Sequence, residues 1–177
     1  VHMRLDLGMD PAQAASLLSL LSIGMGAGML CSGIVTSILA PRRIISLSLA
    51  GAGATLLLIA GAESLCEARA LFALMGIVSG FYLSSAMATL ATLVKPESWS
   101  RAVAVHELAP TVSVIISPVL AETASNLLGW RGGMVLMGSA SLAVGLIFLF
   151  WNKGGTRKLE RLSISGAVAV FRRPVYW

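Results

Sequence analysis

The chain has 177 residues, of which 56% are hydrophobic and 12% are charged, and its mean hydropathy is +0.86. Soluble domains are about 45–50% apolar and about 25% charged, so this composition excludes intrinsic disorder and argues against a soluble globule. Two cysteines without a repeated spacing exclude a disulfide framework and a zinc site. A net charge of +5 is typical of nucleic-acid binding, unless the positive charges lie on one side of a membrane.

Five apolar segments follow one another along the chain, and each is long enough to cross a membrane, which takes roughly 17–25 mostly apolar residues. They predict helices at about 12–39, 43–62, 67–94, 99–128 and 131–151. The fourth reaches this length only if Glu107 and Glu122 lie inside it. Because five such segments leave no polar surface for a soluble domain, we predict an all-α, polytopic transmembrane helix bundle.

Capping residues flank the first and third segments. Asp10 before Pro11 is typical of an N-cap followed by the first helical residue. Pro41 is expected to close the first helix. Ser64 and Glu67 have the spacing of a capping box and predict the start of the third helix.

The basic residues are divided unequally between alternate loops. One face of the bundle receives ten of them: Arg42, Arg43, Lys95, Arg101, Lys153, Arg157, Lys158, Arg161, Arg172 and Arg173. The other face receives Arg4, Arg69 and Arg131, with Asp6, Asp10, Glu63 and Glu67 beside them. The positive-inside rule therefore predicts an N-terminus outside and a C-terminus in the cytoplasm. The high pI then reflects topology, so the expected partner is the lipid bilayer and not nucleic acid.

The loop after the first helix carries a known pattern. Gly33 is followed four residues later by Ser37, and then by the basic pair Arg42 and Arg43. This arrangement resembles the loop between the second and third helices of the major facilitator superfamily. That family has Asp-Arg where this chain has Ser37 and Ile38.

Three further segments resemble the same family in the same order. Gly76 and Gly80, with the segment 95–102, are similar to its fourth helix and the short cytoplasmic loop that follows. Residues 113–118 resemble the fifth-helix motif, which ends in Gly-Pro, and residues 129–131 resemble the outer turn into the sixth helix.

The resemblance implies that residues 8–151 correspond to helices two to six of a twelve-helix transporter, which is an N-terminal half without its first helix. Residues 152–177 would be a cytoplasmic loop and the start of a further helix. Both ends are then expected to be cuts through a longer protein, or the chain begins at Met3 behind a tag remnant.

The function implied by the resemblance is that of a secondary transporter. It would move an unidentified small solute across the plasma membrane, such as the bacterial inner membrane, by alternating access with ion or proton coupling. The first helix and the C-terminal half would be its partners, and no cofactor is expected.

Ionisable residues inside the fourth predicted helix are the main candidates for a substrate or proton pathway. Glu107 lies on the same helix side as Thr111, within roughly 60°, and His106 lies on a neighbouring stripe. Such residues usually face a cavity or a partner, so His106 or Glu107 is expected to exchange a proton with the cytoplasm. Alternatively, both reach the membrane interface, or they bond a loop in a structural role.

Several other residues complete the candidate set. The family's fourth-helix arginine position is Phe72 here, and Arg69, one turn earlier, is its substitute. Glu122 either pairs with Arg69 or is exposed at the outer end. Arg101 is expected at the cytoplasmic mouth of the pathway.

Small residues and prolines predict how the helices pack and bend. Pro110 and Pro118 remove backbone donors and are expected to bend the fourth helix. Gly76 and Gly80 form a small-xxx-small pair, and further glycines crowd the first helix: Gly24, Gly26, Gly28 and Gly33. They predict close helix contacts, which either slide during transport or are static.

A non-transporting membrane protein is the alternative function, either an assembly subunit or an intramembrane enzyme that uses His106 and Glu107. The sequence contains no Walker loop, metal cluster, haem motif or hydrolase elbow. We therefore assign no catalytic residue and no metal ligand.

We predict that a cysteine introduced at Glu97 is protected from a membrane-impermeant maleimide in intact cells and is labelled after the cells are opened. The reason is that the 94–101 loop is expected in the cytoplasm. Cys66, expected at the outer surface, is the positive control. Ready labelling of E97C from outside would contradict this orientation.

Overall fold

The structure, a computed structural model, describes residues 2–151. A short helix α1 (His2–Asp6) precedes three long helices, which are α2 (Pro11–Ile38), α3 (Pro41–Ala60) and α4 (Leu65–Leu93). A 3-10 turn, Pro96–Ser98, leads into α5 (Trp99–Trp151). The described residues contain no strand, so the predicted all-α class is confirmed. The cytoplasmic loop and further helix expected at 152–177 lie outside the described residues.

Helix α5 is interrupted at Gly129, which has φ 71° and ψ 166°. This left-handed backbone favours glycine because it has no Cβ. It divides α5 into α5a (residues 99–128) and α5b (residues 130–151). An unbroken helix of 53 residues would be about 80 Å long, far longer than the roughly 30 Å hydrocarbon core. The break leaves two helical segments, each long enough to cross the membrane once.

Four helices are long and apolar enough to cross a membrane, with α5 and its preceding turn counted as one. They are Pro11–Ile38, Pro41–Ala60, Leu65–Ala91 and Pro96–Trp151. Most of each apolar surface is not covered by other parts of the described chain. Such surfaces are suited to lipid or to neighbouring helices, and the predicted membrane helix bundle is confirmed.

Two helix starts are fixed by the predicted capping residues. The Asp10 carboxylate accepts from the Gln13 backbone N–H at 2.7 Å, and the Gln13 side chain accepts from the Asp10 N–H at 3.0 Å. At α4, Ser64 Oγ accepts from the Glu67 N–H at 3.2 Å, and Glu67 Oε2 accepts from the Ser64 N–H at 3.3 Å. Each capping box satisfies backbone donors that the first helical turn leaves without partners.

The prediction that Pro41 closes the first long helix is wrong. Helix α2 ends at Ile38, and Pro41 is the first residue of α3. At that position its fixed φ suits the helix, and its missing N–H costs no hydrogen bond. Arg42 and Arg43 therefore fit within the first turn of α3, which begins two residues earlier than predicted. Ser98 belongs to the 3-10 turn that precedes α5a.

Helices α2 and α4 run parallel and touch through their backbones. A Cβ added to any of four glycines would overlap a carbonyl oxygen of the facing helix. The pairs are Gly24 with Ala73, Gly28 with Ile77, Gly76 with Leu21, and Gly80 with Met25. Both helices therefore present a small-xxx-small face, and the predicted close contact at Gly76 and Gly80 is confirmed.

Helices α3 and α5b form a second close pair, which is antiparallel. A Cβ at Gly53 would lie 2.6 Å from the Gly138 oxygen, and one at Gly145 would lie 2.5 Å from the Ala50 nitrogen. Ser141 Oγ also donates to the Leu49 carbonyl across this contact, at 2.9 Å. Helix α3 packs against α4 as well, so α3 joins the two pairs.

Helix α5a packs against little of the described chain. Among residues 99–128, Ala124 is buried and every other residue is exposed or half-buried. Large apolar side chains such as Val114, at 76% exposure, and Ile115, at 72%, lie on its surface. The helix that carries the ionisable candidates is therefore the one least covered within residues 2–151.

We predict that Gly28→Ala destabilises the chain by about 1–3 kcal/mol, because the added methyl group overpacks the contact with Ile77. Gly26→Ala is the matched control, since no atom lies within 4 Å of a Cβ at that position. Thermal unfolding in detergent micelles measures both variants. Equal stability of the two would contradict a backbone contact between α2 and α4.

Candidate functional site

Helix α5a brings the histidine and glutamate candidates into direct contact. His106 Nδ1 lies 3.2 Å from Glu107 Oε1, and the two side chains are 18% and 51% exposed. The contact is an ion pair when the imidazole is protonated and a hydrogen bond when it is neutral. Both groups can bind and release protons, so the pair can hold or pass a proton at this position.

The backbone around this pair is depleted of hydrogen-bond donors. Pro110 and Pro118 lie within the helix and lack an N–H, although the helix continues through both. Thr111 Oγ1 donates to the Glu107 carbonyl at 2.8 Å, and Ser113 Oγ donates to the Ala109 carbonyl at 2.8 Å. Hydroxyl groups bonded in this way often accompany bent helices. The polar side of α5a thus combines titratable groups with a locally weakened helix.

The pair also lies well inside the helix. Glu107 is eight residues after Trp99, which is about 12 Å along the helix axis. Arg101 is exposed in the first turn of α5a, closer to the end. Within residues 2–151, no group of three His, Cys, Asp or Glu residues could hold a metal ion. The chemistry available at this position is proton binding and charge recognition.

Arg69 faces α2 and not α5a. Its Nε donates to Ser16 Oγ at 3.2 Å, and Ser16 Oγ donates to the Gln13 carbonyl at 2.6 Å. Glu122 is exposed and accepts from Asn126 Nδ2 at 3.3 Å. The alternative in which Arg69 and Glu122 pair is therefore not formed among the described residues, and the exposed alternative for Glu122 is. The reason is that α4 packs on α2 and makes little contact with α5a.

The residues of the family-like loop lie where α2 passes into α3. Gly33 is half-buried near the end of α2, and its carbonyl accepts from Thr36 Oγ1 at 3.1 Å. Arg42 is half-buried and Arg43 is exposed, both in the first turn of α3. The Arg42 carbonyl accepts from Ser46 Oγ at 3.0 Å. Antiparallel helices place this loop at the same end of the bundle as Arg101.

A cluster at the opposite end joins three elements that are distant in sequence. Arg131 Nη1 donates to the Ala60 carbonyl at 2.7 Å, and Arg131 Nη2 donates to Asp6 Oδ2 at 3.2 Å. Trp130 Nε1 also donates to Asp6 Oδ2, at 3.1 Å. The Arg131 guanidinium lies 4.5 Å from the centre of the Trp130 ring. We call these four residues the Asp6–Arg131 clamp.

The Asp6–Arg131 clamp holds α1 and the end of α3 against the start of α5b. Ala60 is the last residue of α3, and its carbonyl has no acceptor role inside the helix. Arg131 donates the hydrogen bond that this carbonyl lacks within the helix. Sequence reasoning missed this cluster, although it placed Asp6 and Arg131 on the same face of the bundle. That shared sidedness was the one signal that could have suggested a pair.

We predict that Arg131→Ala lowers the free energy of unfolding by about 1–3 kcal/mol, since it leaves the buried Ala60 carbonyl without a donor. Asp6→Ala should cost less, about 0–1 kcal/mol, because the ion pair is exposed at both side chains. Chemical unfolding in micelles measures the two variants side by side. A larger loss for Asp6→Ala would contradict this assignment of the main contact.

Comparison with family models gives a match over the whole chain. The family model described as Major Facilitator Superfamily matches residues 1–177. No curated protein matches the chain. The matched range includes all the described helices, and with them the loop at Arg42 and Arg43 and the fourth-helix glycines Gly76 and Gly80.

Proposed function

The chain belongs to the Major Facilitator Superfamily, and we propose that it forms part of a secondary transporter that moves a small solute by alternating access. Members of this superfamily are transporters and not enzymes. In such transporters the solute site lies near the bilayer midplane between helical repeats that rock against each other. The described helices contribute one wall of this site, while a first helix and a C-terminal half contribute the others.

The observation that carries the proposal is the uncovered polar side of α5a. The other long helices bury glycine faces against each other, whereas α5a leaves Glu107 and Thr111 exposed, with the half-buried His106 beside them. An acidic residue near the centre of a membrane helix costs about 2.5–3.5 kcal/mol on insertion scales. Such residues therefore face water or a partner, and we place the polar side of α5a toward the transport pathway.

The proposed coupling uses the His106–Glu107 contact as a proton-exchange pair. Glu107 binds and releases the coupling proton, and His106 Nδ1 lies 3.2 Å from its carboxylate and can exchange that proton with it. Arg101 lies about 9 Å nearer the cytoplasmic end. Glu122, exposed and bonded only to Asn126 among the described residues, has no role in this step.

The proposed topology follows from the charge distribution. The sequence pattern assigns ten basic residues to one face of the bundle and three to the other, and we therefore place the face with ten in the cytoplasm. The chain then crosses the plasma membrane, which in a bacterium is the inner membrane, five times from an outer N-terminus. The Asp6–Arg131 clamp supports this alternation, because it gathers the loops before α2, after α3 and before α5b.

The glycine contacts are proposed to be static and not sliding. Backbone carbonyls of α2 and α4 fill the space that a Cβ would occupy, and closely packed interfaces resist continuous deformation. The pairs α2–α4 and α3–α5b then move as one body, and α5a borders the pathway that this movement opens.

We predict that Glu107→Gln reduces proton-coupled transport about a hundredfold, the lower end of what one positioned proton-transfer group contributes, and flattens its pH profile. Glu122→Gln should keep both the rate and the profile, because Glu122 is an exposed carboxylate outside the proposed proton path. Both variants remove one negative charge from the same helix. The measurement is pH-jump transport in the transporter that contains this chain, at matched expression.

If Glu107→Gln keeps the wild-type rate and pH profile, Glu107 is a structural residue and the proton pathway is wrong. If both variants lose activity equally, the effect comes from the charge of α5a in general and not from the His106–Glu107 contact.

A further inference from the structure

A narrow apolar groove lies where α2, α3 and α4 meet near the Arg42–Arg43 end of the bundle. It has a volume of about 240 Å³ and is lined by Val35, Leu39, Ile44, Leu47, Ser48, Val78 and Phe81. Pockets for small molecules are larger, about 300–1,000 Å³. The groove therefore suits a narrow, extended apolar group better than a whole solute. We call it the α2–α3 groove.

The α2–α3 groove opens on the surface of the bundle beside a positive charge. Leu47 lines it and is 54% exposed. Arg43 is exposed and lies four residues before Leu47 on α3, so the two side chains are neighbours on one helix face, with about 5–6 Å between their Cβ atoms. Arg42 adds a second positive charge in the same turn.

Acidic residues are scarce around this opening. The sequence from Pro11 to Ala62 contains no Asp or Glu. Glu97, in the 3-10 turn at the same end of the bundle, is exposed, and no ion pair among residues 2–151 includes Arg43. The N-terminus of α3 has no side-chain cap at Ala40, which leaves its positive dipole end without a negative group from the cap.

We propose that the α2–α3 groove binds one anionic phospholipid, with an acyl chain in the groove and the phosphate at Arg43. The proposal rests on the membrane topology proposed above, which puts this end at the cytoplasmic leaflet. Basic sites between helices at that leaflet attract anionic head groups. An apolar groove that ends beside the exposed guanidinium of Arg43 matches the two parts of such a lipid.

A second groove at the other end of α3 provides the contrast. It is lined by Leu57, Leu58, Gly61, Ala62, Glu67, Ala70 and Leu71. It is apolar as well, but it carries the Glu67 carboxylate in place of a cationic pair, and Glu63 lies nearby in sequence. A phosphate is repelled there, so this groove should not distinguish anionic from zwitterionic lipid.

The experiment uses tryptophan reporters in the full chain. Leu47→Trp places a reporter at the α2–α3 groove, and Leu58→Trp places one at the second groove, where Leu58 is similarly exposed at 58%. The chain is reconstituted in phosphatidylcholine vesicles with a minor fraction of brominated phosphatidylglycerol or brominated phosphatidylcholine. Fluorescence of the chain without a reporter is subtracted from each measurement.

We expect brominated phosphatidylglycerol to quench L47W with at least about fivefold greater apparent affinity than brominated phosphatidylcholine. L58W should show no preference. Adding Arg43→Gln to L47W should lower the preference about fivefold, whereas Arg101→Gln, the same charge change elsewhere at that end, should leave it intact. Replacing chloride by inorganic phosphate at equal ionic strength should leave it intact as well.

Three results would overturn the proposal. L47W could show no preference for phosphatidylglycerol. R43Q and R101Q could lower the preference equally, which would indicate attraction by the whole basic surface. Loss of the preference in inorganic phosphate would mean that free phosphate, and not lipid, occupies Arg43. Each result is obtained without measuring transport, so the lipid proposal can fail while the proposed function stands.

Discussion

Direct contact between helix backbones is the interaction on which the rest of this structure depends. Lipid provides no hydrophobic force that brings apolar helices together, so association in a membrane relies on close packing and polar contacts. Gly28 on α2 and Gly80 on α4 lack the Cβ that would separate the two backbones. Gly53 and Gly145 do the same where α3 meets α5b. Weak Cα–H···O contacts between such backbones add to the packing.

These contacts use the glycine faces of four helices and leave α5a apart. Four helices therefore form a packed scaffold in the order α2, α4, α3 and α5b, whereas the fifth segment presents polar groups on a surface that the described chain leaves uncovered. Helix α5a is joined to this scaffold at Gly129, where the chain continues into α5b. The placement of His106 and Glu107 on that segment connects the packing to the proposed function.

Local features of this fold could be predicted from the sequence because their causes are local. The capping boxes at Asp10 and Ser64 depend on residues three positions apart, and the break at Gly129 depends on one backbone conformation. Glycine spacing at Gly76 and Gly80 predicted a close contact, but it did not identify α2 as the partner. Apolar segments predicted the helices, and the basic residues between them predicted which end of the bundle faces the cytoplasm.

Interactions between distant elements could not be predicted in the same way. The sequence left open whether Glu122 pairs with Arg69 or is exposed. Arg69 bonds Ser16 because α2 is the helix that packs against α4 at this point. The Arg131 contact with Ala60 involves a backbone carbonyl, and the pattern of side chains in the sequence does not indicate which carbonyl accepts a hydrogen bond. Pro41 was misplaced because proline is compatible with both the residue after a helix and the first residue of the next.

The central claim is that the polar side of α5a borders an aqueous pathway, and cysteine accessibility tests it most directly. The test compares two pairs of neighbouring variants, T111C with V112C and S117C with I116C. The two positions of each pair lie at nearly equal depth but about 100° apart around the helix. Val112 and Ile116 are also exposed, at 46% and 45%, so burial within the described chain would not explain slower labelling at these two positions. In membranes, a hydrophilic maleimide should label T111C and S117C several times faster than V112C and I116C. Equal or negligible labelling of all four positions would contradict the claim.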